Sequence, residues 1–165
     1  MSIKLRKNQL KAIETTTNNN FKSGVHFHAT GTGKSWISLE IILNYNSKYN
    51  NRNIIWLCEQ KSILIEQFNK KTLKEKGYLN IYNKFMIVNY TENKNKDWSK
   101  LLGMAAFWGK PVLLVINRSF LVSQKKYKNI KIPISLIIHD ECHSISNKTT
   151  REFYDYILEK NKNIS

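Results

Sequence analysis

Two short stretches hold residue types whose order suits chemistry on a phosphorylated ligand. The first is His28-Ala29-Thr30-Gly31-Thr32-Gly33-Lys34-Ser35. Gly31 and Gly33 allow a tight turn and a close backbone approach, so that the N–H groups of Thr30, Gly31, Thr32 and Gly33 can converge on one anion. Lys34 then reaches the β- and γ-phosphates of a nucleotide, and the Ser35 hydroxyl suits a Mg²⁺ ion at a helix N-terminus. The second stretch is His139-Asp140-Glu141-Cys142-His143. Here Asp140 can hold Mg²⁺, while Glu141 can orient and deprotonate the water that attacks a γ-phosphate. His143 is placed to bond toward the nucleotide or a neighbouring segment.

Each stretch also has a plainer reading. A glycine-rich turn followed by Lys-Ser, and an Asp-Glu pair on a surface, both occur without function. The general phosphate-loop pattern G-x-x-x-x-G-K-[ST] has Gly where this chain has His28. The His139-x-x-x-His143 spacing raises zinc ligation, but no paired cysteines complete such a site. The surroundings decide in favour of the nucleotide. Val25-His26-Phe27 before the loop is short and mostly apolar, Trp36 to Leu43 after it has helical spacing, and Asp140 follows an apolar run.

The elements that must position these groups alternate. Strands are expected at 24–28, 53–58, 85–88, 112–116 and 134–138, several of them near-continuous apolar runs suited to a sheet covered on both faces. Between them, helices are expected near the N-terminus within residues 1–23, at 34–47, over 61–76 with Gly77 as the stop, over 97–108, and at 149–160. This is an α/β chain: a parallel sheet with helices on both faces, its ligands at the carboxyl ends of the strands.

Composition agrees with one globular domain of 165 residues, 41% hydrophobic. The 27 Lys and Arg against 12 Asp and Glu leave a formal charge of +15, which favours polyanionic partners such as nucleic acid, or else marks a lysine-rich solvated surface. No run of 18 apolar residues and no signal-peptide core is present, which points to a soluble intracellular protein, whether cytoplasmic, nuclear or in a viral factory. Cys58 and Cys142 both adjoin apolar runs and are expected as buried thiols in a reducing compartment.

With both stretches in place, the chain resembles the first motor domain of superfamily 2 helicases and translocases of the DExH or DECH kind, a RecA-like P-loop NTPase fold. Ala29 to Ser35 is similar to motif I, which in that family often lacks the first glycine, and Asp140-Glu141-Cys142-His143 is similar to motif II. Leu5-Arg6 with Gln9 resembles the adenine-reading Q-type motif, which makes Gln9 a candidate for the adenine edge. Trp56 to Gln60, with Leu64 and Gln67, resembles motif Ia, and Val115 to Leu121 resembles motif Ib. The resemblance implies phosphate-backbone contacts at Gln60, Lys61, Asn117 and Arg118.

The same resemblance implies ATP and Mg²⁺ as ligands, and DNA or RNA as partner. Residues 1–165 are expected to form the N-terminal ATP-binding domain, cut before motif III, with the second motor domain and its arginine finger absent. Such a chain by itself is expected to bind ATP weakly and hydrolyse it slowly. Restriction-enzyme DNA translocases and nucleic-acid-sensing ATPases that do not unwind share these motifs and stand as alternatives. A P-loop kinase is disfavoured, since the Asp-Glu pair suits attack by water.

Overall fold

The computed structural model describes residues 5–26, 33–59, 66–89, 98–123, 125–142 and 146–161. Four strands, β1 (Asn53–Cys58), β2 (Met86–Asn89), β3 (Val112–Asn117) and β4 (Ile134–His139), form a parallel sheet in the order β2-β3-β1-β4. Seven helices accompany them among the described residues: α1 (Lys7–Asn18), α2 (Lys34–Lys48), α3 (Lys70–Glu75), α4 (Leu79–Lys84), α5 (Trp98–Phe107), α6 (Arg118–Ser123) and α7 (Lys148–Lys160). A 3₁₀ turn covers Lys126–Asn129. No helix among these residues is long and apolar enough to cross a membrane.

The pleat sorts the strand residues into two cores. Ile54, Trp56 and Cys58 of β1, with Leu113 and Val115 of β3, pack on one face under Ile37 and Ile42 of α2, Leu73 of α3 and Ile81 of α4. Ile55 and Leu57, with Leu114 and Ile116, face the other way against Leu121 and Val122 of α6 and Phe153 and Ile157 of α7. A strand buried on both faces has no position left for a polar residue, which is why β1 and β3 read as unbroken apolar runs. In register, Trp56 lies beside Val115 and Ile138, and Leu57 beside Ile116 and His139. The sheet's two ends are each closed by an asparagine. At the amino end, Asn53 donates to Pro133 O at 2.9 Å and accepts from Val112 N–H at 2.8 Å. At the carboxyl end, Asn117 does the equivalent work described below.

Three expectations need correction. Gly24–His26 are not in strand, and the rest of the expected 24–28 strand lies outside the described residues. The helix expected over 61–76 is not continuous where it is described: Glu66 and Gln67 are helical, but the helix breaks at Phe68–Asn69, and the Asn69 side chain accepts from Thr72 N–H at 2.8 Å and starts α3 afresh. An asparagine that offers its oxygen to the first turn favours starting a helix over continuing one. Gly77, at φ +75°, does follow the end of α3. Helices α4 and α6 were not anticipated. Of the two free thiols, Cys58 is buried as expected, but Cys142 is partly exposed, because it lies past the strand in the turn after Asp140.

Candidate functional site

Parallel strands bring their carboxyl ends to one edge of the sheet. Helix α2 leads directly into β1, so it runs opposite to the strands and places Gly33, Lys34 and Ser35 at that same edge. Asp140 lies there too, one residue past β4. Its N–H donates to Leu57 O at 2.9 Å, which carries the β1–β4 ladder one step beyond the strand. Burial raises the Asp140 carboxyl above its ordinary value, and the neighbouring Glu141 charge adds to this. The Lys34 ammonium and the Glu141 N–H pull it back down. Lys34 and Asp140, 106 positions apart in the chain, therefore act on each other electrostatically.

Glu141 is exposed and adopts φ +56°, the left-handed region that costs a non-glycine residue about 1–2 kcal/mol. The turn sends Glu141 outward from the strand end while Asp140 stays half-buried beside Lys34.

Gly33 precedes α2 at φ +81°. Gln9 from α1, 5% exposed, donates through Nε2 to Gly33 O at 3.3 Å and accepts the Arg6 N–H on Oε1 at 2.8 Å. These two bonds fix the Gln9 amide plane against the last glycine of the loop. A Cβ at position 33 would lie 2.4 Å from Gln9 Nε2 and 3.0 Å from Trp36 Cδ1. Glycine is required here both by its φ and by this contact. The Gly33→Ala variant is expected to lose about 1–3 kcal/mol of stability from left-handed strain and displacement of Gln9, read by urea denaturation. Wild-type stability in that variant would mean that the Gln9 contact carries no weight.

The remaining residues singled out from the sequence divide. Thr30, Gly31, Thr32, Gln60, Lys61 and His143 lie outside the described residues. Asn117 and Arg118 are described, and both side chains turn inward. Asn117 Nδ2 donates to Glu59 O at 2.8 Å and to Cys58 O at 3.3 Å, and its Oδ1 accepts the Phe120 N–H at 3.0 Å. Arg118 forks onto the Glu59 carboxylate, with Nη2 to Oε2 at 3.1 Å and Nε on Oε1. Its Nη1 also donates to Thr150 Oγ1 at 3.1 Å. A strand-end arginine beside a carboxylate on the neighbouring strand satisfies its charge within the fold, and in this arrangement neither residue is presented to a nucleic-acid backbone. His139 uses both ring nitrogens internally, Nδ1 with Tyr154 OH at 3.0 Å and Nε2 with Glu59 Oε1 at 3.4 Å. Sequence reasoning missed Glu59, Thr150 and Tyr154, whose only local signal was a charged or polar residue beside an apolar run.

An ammonium and a hydroxyl at one helix start, with the Asp140 carboxylate at the same sheet edge, are a donor set that fits a magnesium-bound triphosphate. The left-handed Gly33 ends the glycine-containing stretch directly before Lys34, and its own side is filled by Gln9 and Trp36. The family match, on this fold, makes the chain a RecA-like ATP-binding domain of the superfamily 2 class. The sequence matches the family described as "Type III restriction enzyme, res subunit" over residues 2–164, and the chain belongs to that family. No curated protein matches the sequence. Among solved structures, the chain is similar to a nuclease-deletion mutant of the Type ISP restriction-modification enzyme LlaGI, determined in complex with a DNA substrate mimic. That similarity has a TM-score of 0.61 at 20% sequence identity, and it covers 99% of this chain and 17% of the other. The likeness is one of fold, and the chain spans about a sixth of that relative's length.

Proposed function

We propose that the chain is the ATP-binding half of a motor that uses ATP hydrolysis to move along DNA. The observation that carries this reading is the placement at one carboxyl edge of the sheet of Lys34, which starts α2 behind the left-handed Gly33, and of Asp140, hydrogen-bonded to Leu57 O one residue past β4. Lys34 binds the β- and γ-phosphates, with the backbone of Thr30, Gly31, Thr32 and Gly33 around them. Ser35 and Asp140 would hold Mg²⁺, which supplies charge neutralisation at the phosphates when bound. Glu141, exposed after its left-handed turn, takes the proton of the attacking water, and His143, outside the described residues, is the candidate for a bond toward the nucleotide or a neighbouring segment. Gln9 is the candidate for the adenine edge, and would reach it by turning its amide away from Arg6 and Gly33.

Completion of the site requires a second motor domain carrying an arginine finger, worth roughly 10³–10⁵ in rate. DNA is favoured over RNA by the restriction-enzyme family and by the DNA mimic on the LlaGI relative. The charge of +15 supports a grip on backbone phosphates, with Gln60 and Lys61 as contacts. Arg118 and Asn117 would join them only by leaving their internal partners.

The test is ATPase activity of the full-length protein with double-stranded DNA, single-stranded DNA and RNA, at rising salt. The expected result is stimulation by DNA that falls as salt displaces the phosphate contacts. Stimulation by RNA alone would favour a sensor or RNA helicase. No stimulation by any nucleic acid would overturn the motor reading.

A further inference from the structure

Outside the nucleotide site, a hydrogen-bonded polar cluster begins at His139, the residue before Asp140. Three neighbouring strands each contribute one side chain to it at their carboxyl ends. Glu59 follows β1, Arg118 follows β3 and His139 ends β4, while helix α7 adds Thr150 and Tyr154. The strand order β3-β1-β4 puts Glu59 in the middle, and Glu59 is the group that both flanking side chains reach.

Their side chains are withdrawn from water: 12% exposed for Arg118, 16% for Glu59 and 5% for His139. Ions desolvated to this degree gain little net stability over apolar residues of the same size, so stability alone is a weak reason for such a cluster. Direction is a better one, because a guanidinium fork and two ring nitrogens accept partners only in fixed planes. The cluster also shares its register with the catalytic turn. The Asp140 N–H bond to Leu57 O and the His139 bond to Glu59 both span β1 and β4, two residues apart on β1 and one apart on β4. A slide of β4 against β1 would break both together.

We propose that Glu59, Arg118, His139 and Tyr154 are positioning residues that hold the end of β4 in the register from which Asp140 and Glu141 hydrolyse ATP. The inference rests on the ATPase reading above for its kinetic consequence. Tyr154 holds His139 from the α7 side, His139 and Arg118 hold Glu59, and Asn117 fixes the Glu59 backbone, so the strand end is braced from both neighbours.

Tyr154→Phe removes one hydroxyl and keeps the ring, and Arg118→Lys keeps the charge and removes the fork, so neither empties the core. In the full-length protein, each is expected to lower kcat for ATP about five- to tenfold while KM for ATP stays within about twofold, the pattern of a lost transition-state arrangement. Tyr156→Phe, whose hydroxyl instead contacts Lys128 O, serves as the control with wild-type kinetics. A second readout is amide hydrogen exchange, expected to quicken at Asp140 in Tyr154→Phe while Leu113–Ile116 keep wild-type protection. Wild-type kcat in both variants, or a fall confined to KM, overturns the positioning role. If the wild type itself hydrolyses no ATP, the ATPase reading has failed, and exchange at Asp140 alone then decides: unchanged exchange overturns the proposal, and faster exchange supports it.

Discussion

Lys34→Ala and Glu141→Gln are expected to leave the domain folded and to reduce ATP hydrolysis by about 10²–10³-fold or more, by different routes. Lys34 is half-buried at the start of α2 and acts on Asp140, so its loss removes the fixed positive charge from the triphosphate and weakens ATP binding as well as turnover. Glu141 is exposed and makes no side-chain hydrogen bond or ion pair among the described residues, so the amide variant should bind ATP with wild-type affinity and fail at the proton transfer. Fluorescent-nucleotide binding alongside steady-state ATPase separates the two. A Glu141→Gln protein that turns over ATP at the wild-type rate would remove Glu141 from the mechanism.

The largest expected effect on stability is at Arg118. Truncation to Ala leaves the Glu59 carboxylate, mostly withdrawn from water, without the cation that forks onto it. Breaking a buried pair on one side costs about 3–5 kcal/mol, because the survivor keeps its desolvation penalty. Arg118→Met combined with Glu59→Gln removes both charges and is expected to recover most of that loss. Denaturant midpoints of the single and double variants measure the difference. If Arg118→Ala alone were within about 0.5 kcal/mol of wild type, the pair would be energetically no more than an exposed surface bridge. The double variant would still be expected to turn over ATP slowly, since its folded state lacks the brace on the β4 end.

How much of this was legible in the sequence differs from element to element. β1 and β3 could be read because burial on both faces leaves no polar interruption, and α7 because Phe153 and Ile157 recur on one side of a helix. The break before α3 was not read, since the apolar residues Leu64, Phe68 and Leu73 can be placed on one long helix, and only the Asn69 cap shows that the chain restarts. Helix α4 is only six residues long, two of them asparagine, and has little propensity of its own. It is held by Ile81 packing beneath it with Tyr78 and Phe85 beside it, a tertiary cause invisible to a local window.

By itself, the sequence determined the chemistry on offer: a phosphate loop ending in Gly33-Lys34-Ser35, an Asp-Glu pair at a strand end, an alternating α/β order and a strong positive charge. Those features are local, set by residue type and spacing along a few turns of chain. Only the tertiary structure decided which distant groups meet. It set Lys34 against Asp140, tied Gln9 to Gly33, and turned Asn117 and Arg118 from expected surface contacts into a brace with Glu59, His139 and Tyr154. The physical reason is that a charge is satisfied by whichever opposite charge the folded sheet brings beside it, and strand order, not sequence distance, selects that partner.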